Sequence, residues 1–76
     1  MLGNETRAFR DEYGPKVGRS MPRSTFVERV LRGAVSPQQV YKWERRGVEP
    51  RTATKIVVRR RMELYRRKHE PTSAAA

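Results

Sequence analysis

Apolar residues in this 76-residue chain recur at helical intervals, and glycine or proline separates the runs. Phe9 and Tyr13, spaced i and i+4, predict a first helix from Asn4 to Tyr13. Asn4 is the expected cap, Glu5 suits the helix N-terminus, and Gly14-Pro15 is the stop. Lys16 to Arg23 reads as a loop broken by Gly18 and Pro22. A second helix starts at Ser24-Thr25, with either Ser24 or a Thr25/Glu28 capping box at its head. Phe26, Val27, Val30 and Leu31 form its apolar stripe, and Gly33 ends it. A third helix runs from Pro37 to Arg46. Ser36 caps it, Pro37 takes the first helical position, and Gln39 completes a capping box. Val40 and Trp43 give this helix an apolar side, which leaves Gln38, Tyr41, Lys42 and Arg45 on the exposed side. Gly47-Val48-Glu49-Pro50 is a turn.

Thr52 to about Lys68 predicts a long fourth helix with two apolar stripes. Ala53, Val57 and Leu64 make one; Val58, Met62 and Tyr65 make the other, roughly 120° away on a wheel of about 100° per residue. In so small a domain two stripes suggest a second surface, and the expectation is a homodimer held through Val58, Met62 and Tyr65. The alternative is that this stripe packs on the first helix through Phe9 and Tyr13. A strand over Ala53–Val58 is the competing local reading, because Thr54, Ile56, Val57 and Val58 favour β structure and a winged helix-turn-helix would place a wing there. No turn dipeptide follows to close a hairpin, and Arg59 to Lys68 is strongly helix-forming. The expected fold is all-α: a small four-helix helix-turn-helix domain over residues 1–69 with a long basic C-terminal helix. Residues 70–76 are expected to be a disordered tail.

The run Val35-Ser36, Gln38-Gln39-Val40, Trp43-Glu44 with Gly47 and Pro50 resembles the recognition-helix half of the Cro/repressor (XRE-type) helix-turn-helix proteins. Trp43-Glu44-Arg45-Arg46-Gly47-Val48-Glu49-Pro50 is similar to the small Cro-like regulators of phages and prophages. The resemblance covers about twenty residues. It departs from the family before the turn. Counted back from Val40, the family's alanine and leucine slots fall on Val30 and Gly33, so Val27, Val30 and Leu31 come early. The turn Arg32-Gly33-Ala34 is therefore expected to be a residue or two longer than the family's.

Charge sharpens this picture. Eighteen Lys and Arg against eight Asp and Glu leave a formal charge of +10. Residues 1–34 carry seven basic and four acidic groups; residues 35–76 carry eleven and four. The excess therefore sits on the third helix and beyond it, an arrangement suited to a polyanionic partner. The chain contains no cysteine, so neither a disulfide nor a thiolate metal site can supplement a small core. No apolar run approaches a membrane span and no signal-peptide core opens the chain, so a cytoplasmic protein, close to the nucleoid, is expected. His69, the only histidine, has no companions for a metal site and reads as solvated. Asp11 and Glu12, beside Arg7 and Arg10, read as surface pairs. No phosphate loop or nucleophile elbow is present, so neither an enzyme nor a cofactor is expected.

The expected partner is double-stranded DNA, with the third helix in the major groove and no small-molecule substrate. Gln38 can pair with adenine and Lys42 with guanine, while Tyr41 and Arg45 flank that line. Gln39 is a further base candidate, although its capping role competes. Ser36, Arg46, Arg51 and Lys55 are the phosphate candidates. Lys16, Arg19 and Arg23 suit phosphates or solvent equally. Trp43 is assigned to the core rather than to base stacking. The leading functional reading is a Cro- or repressor-like transcriptional regulator that binds a palindromic operator as a homodimer. An excisionase carrying a β-wing is the near alternative. A phage inhibitor that docks on a protein is the alternative from another class, and an RNA-binding peptide fits less well.

Overall fold

The computed structural model describes residues 1–72. In chain order its helices are α1 (Leu2–Glu12), α2 (Arg23–Thr25), α3 (Pro37–Arg45) and α4 (Thr52–Lys68), with a π-helical turn, Phe26–Val30, continuing α2 directly. The domain is all-α. Ala53–Val58, the segment with a competing strand reading, is helix, because the strong helix formers after it extend one uninterrupted α4. Among the described residues the only β pairing is an isolated bridge between Lys16 and Arg19. No described helix is long and apolar enough to cross a membrane.

Helix α1 begins earlier than its cap signal suggests. Asn4 lies inside the helix, its N–H bonded to the Met1 carbonyl at 3.1 Å, and no side chain caps the start. Burial explains the shift. Leu2 is fully buried, and its N–H donates to the Glu49 carboxylate at 3.0 Å. Gly3 presses against α3 so closely that a Cβ there would lie 2.1 Å from the Trp43 carbonyl oxygen.

Helix α2 also starts early, after Pro22 and without a side-chain cap, so neither Ser24 nor Thr25 performs that role. Met21 has already entered the core, and its N–H is bonded to the Arg10 carbonyl at 2.8 Å. The chain then widens. Leu31 N–H reaches the Phe26 carbonyl at 3.1 Å and Gly33 N–H reaches the Val27 carbonyl at 3.0 Å. A π turn takes up one extra residue, and Phe26, Val27, Val30 and Leu31 all remain buried. Arg32 (φ 54°) and Gly33 (φ 79°) then reverse the chain.

Helix α3 follows its signals: the Ser36 cap, Pro37 and the reciprocal Gln39 capping box are all present. Gly47 (φ 66°) lets the Val48 N–H turn back to the Lys42 carbonyl at 3.3 Å.

The core centres on Phe9, which stacks on Tyr13 at 4.5 Å between ring centroids and meets Phe26 at 5.5 Å and Tyr65 at 5.7 Å. Val58 and Met62 are 0% and 2% exposed within the single chain. The dimer contact expected at Val58, Met62 and Tyr65 is therefore corrected: this stripe closes its own core, because Tyr65 meets the α1 rings, Tyr13 lying at 5.3 Å. The α4 edge left outside carries Ala53, Ile56, Val57 and Leu64. Arg59 grips Glu5 through two bonds of 3.0 and 2.8 Å and holds its carboxyl below the usual 4.5. Arg66 lies 3.6 Å from Glu12, so Glu12 pairs across to α4 instead of within α1. Beyond α4, the Thr72 hydroxyl donates to the Gly14 carbonyl, and Pro71 and Thr72 are half-buried. The rest of the expected tail, residues 73–76, lies outside the described residues.

Candidate nucleic-acid interface

Two sides of α3 have opposite characters. Val40 and Trp43 are 0% and 4% exposed, which places the indole in the core as expected. Gln38, Tyr41, Lys42, Arg45 and Arg46 are all exposed. Lys42, Arg45 and Arg46 enter no ion pair with any described residue. Of the nearby carboxylates, Glu44 is turned into the core, and Glu49 pairs with Lys55 while sharing a hollow with Gln39 and Lys42.

Glu44 is what fixes the face in place. It lies four residues after Val40 on the inward side, and its side chain is 1% exposed. Arg10 from α1 binds it through both Nε, at 3.1 Å to Oε2, and Nη2, to Oε1. The Thr6 hydroxyl lies 2.8 Å from Oε2 and 3.1 Å from the Gly3 carbonyl; with one proton to give, it donates to the nearer, charged oxygen. Arg23, at the head of α2, approaches Oε1 at 3.2 Å. Arg10 also donates to the Met21 carbonyl at 2.8 Å. One carboxylate thus ties α1, α2 and the preceding loop to α3. Arg10, read from sequence as part of a surface pair, is an internal residue. A signal for it exists: Thr6 and Arg10 share a helical face with Phe9 and Tyr13, and Glu44 shares one with Val40.

Arg23 reaches α3 a second way. Its guanidinium lies 5.2 Å from the centre of the Tyr41 ring, and its Nε–H is buried without a partner. Tyr41 is therefore held from below while 46% of it stays exposed.

Among the other expected contacts, Gln39 gives its Oε1 to the cap, accepting the Ser36 N–H at 2.8 Å, which leaves only its Nε2 amide for a base. Ser36 Oγ accepts from Gln39 N–H at 3.3 Å and keeps its own proton to donate. Arg51 is exposed at the head of α4, across a hollow lined by Lys42, Val48 and Thr54. Lys55 is removed from the phosphate set, because its ammonium lies 2.6 Å from Glu49, whose carboxyl it draws below the usual 4.5. Lys16 and Arg19 remain exposed.

Comparison with protein-family models, with curated proteins and with solved structures finds no significant match. What the face can do rests on its own geometry.

Proposed function

We propose that this domain binds duplex DNA sequence-specifically, with α3 in the major groove, and acts as a small transcriptional regulator of Cro or repressor type in the cytoplasm. One observation carries the reading: the exposed side of a rigidly seated helix offers Gln38, Tyr41, Lys42 and Arg45 with no carboxylate among them. Gln38 and Lys42 are the base readers, four residues apart on that side, suited to adenine and guanine edges. Tyr41 and Arg45 flank them. Ser36, Arg46 and Arg51 are the backbone contacts that set register without carrying sequence information.

An uninterrupted α4 removes the β-wing that would have favoured an excisionase. Homodimerisation stays in the proposal with a different contact, the exposed edge Ala53, Ile56 and Val57. Selection of bound sequences from a random duplex pool tests the reading. An enriched inverted repeat is the expected result. A direct repeat would point to recombination, and no enrichment would point to a protein-docking role.

A further inference from the structure

Away from α3, a second set of cations has no counter-charge. Arg29 and Arg32, from the π turn and the residues after it, face Arg61 and Lys68 of α4 across a groove of about 250 Å³. None of the four is ion-paired with a described residue, whereas Lys55, Arg59, Arg66 and Arg67 of the same helix each have a carboxylate. Gathering four cations around one hollow costs self-repulsion unless an anion enters it.

The floor of the groove is not ionic. Val30 and Leu64 contribute apolar surface. Tyr65 carries the His69 imidazole stacked on it at 4.0 Å, with the rings 21° from parallel. His69 is itself exposed. It is also anchored, its N–H donating to the Tyr65 carbonyl at 3.0 Å and its carbonyl accepting from the Tyr13 hydroxyl at 3.4 Å. On α4, Arg61, Leu64, Tyr65 and Lys68 follow i, i+3, i+4, i+7 spacing, which sets a cation at each end of an apolar and aromatic middle.

We infer that this groove is a second nucleic-acid site and that it takes an unpaired strand, with phosphates on Arg29, Arg32, Arg61 and Lys68 and a base on the His69–Tyr65 stack. A duplex would use only the cations, because its bases are already stacked on one another and its convex surface leaves the apolar floor unfilled. An acidic peptide would likewise ignore the exposed imidazole. Cations flanking an aromatic platform match the way single strands are held. The groove also lies apart from the α3 face. Thr54 lines the hollow beside α3, while Arg61, Leu64, Tyr65 and Lys68 line this one, so about two to four helical turns of α4 separate them.

Fluorescence anisotropy with a labelled oligothymidine of about 12 nucleotides tests the site. Arg29→Gln with Arg61→Gln should weaken binding about tenfold or more, and His69→Ala about fivefold, while His69→Phe, which restores a stacking ring, should bind like the wild type. Lys16→Gln with Arg19→Gln removes the same charge from an exposed loop and should cost about twofold at most. Thermal melting establishes that each variant is folded. Equal losses from the loop pair and the groove pair would overturn the site in favour of diffuse charge. Displacement by oligoglutamate as readily as by unlabelled oligothymidine would overturn it in favour of an acidic peptide. Loss of oligothymidine binding in Lys42→Ala would place the strand on α3 instead. The probe contains no duplex, so failure of the duplex reading would leave this result standing.

Discussion

Glu44 is a buried charge whose value lies in being fully matched. Two guanidinium groups and a hydroxyl surround it, and removing one member of such a cluster leaves the others desolvated and uncompensated. Glu44→Gln keeps the shape but removes the charge facing Arg10 and Arg23. It should lower unfolding free energy by about 3 kcal/mol in urea titration. A loss below about 1 kcal/mol would mean that the cluster is solvated and the helices are held by apolar packing alone. Replacing Arg10, Arg23 and Glu44 together by Met should cost less than the single change, because no orphan charge remains.

At the scale of elements, α1 against α3 is the tightest joint. Gly3 faces backbone atoms, with Trp43 carbonyl oxygen and carbon 2.1 and 2.6 Å from the place a Cβ would take, and neither can swing aside as a side-chain tip would. Gly3→Ala should therefore cost about 1–3 kcal/mol despite alanine's better helix propensity. A more stable variant, measured by thermal melting, would show that α1 can lift from α3 freely. Helix α3 is legible in the sequence because its cap, stop and apolar spacing agree with one another, and α4 because strong helix formers run unbroken through Arg59–Lys68. The ends of α1 and α2 are less so, because burial of Leu2 and Met21 overrides the nearby capping residues. The π turn has no local signature beyond apolar residues that fall too early for the motif. The exposed side chains of α3 were legible from its wheel, whereas the pairing of Lys55 with Glu49 depends on how the Gly47–Arg51 turn brings α4 to α3.

For the whole molecule, two carboxylates on the α1–α4 side contribute to the acid response. Arg59 lowers the Glu5 carboxyl and Lys55 lowers that of Glu49, both from 4.5. A carboxyl lowered in the folded state stabilises fully above its unfolded value and loses that contribution as pH falls through the folded one. The melting temperature should therefore be flat from neutral pH to about 5 and fall at more acid pH. Glu5→Gln should flatten that fall. An unchanged acid profile in this variant would show that the Arg59 contact is not kept in solution. The proposed dimer would use the exposed edge of α4, where Ile56 is 60% and Val57 43% exposed. Ile56→Glu should convert a sedimenting dimer to monomer without loss of fold, since nothing buried is touched. A wild type that sediments as a monomer, free and on DNA, would remove the dimer.

On the proposed function, the outward side of α3 reads base edges. Titration of wild type, Gln38→Ala and Lys42→Ala against the selected duplex and a scrambled one, at one fixed salt concentration, decides whether it does. Each substitution should weaken the selected duplex by about 1–3 kcal/mol and leave the scrambled duplex nearly unchanged. Equal losses on both duplexes, or none on either, would contradict it.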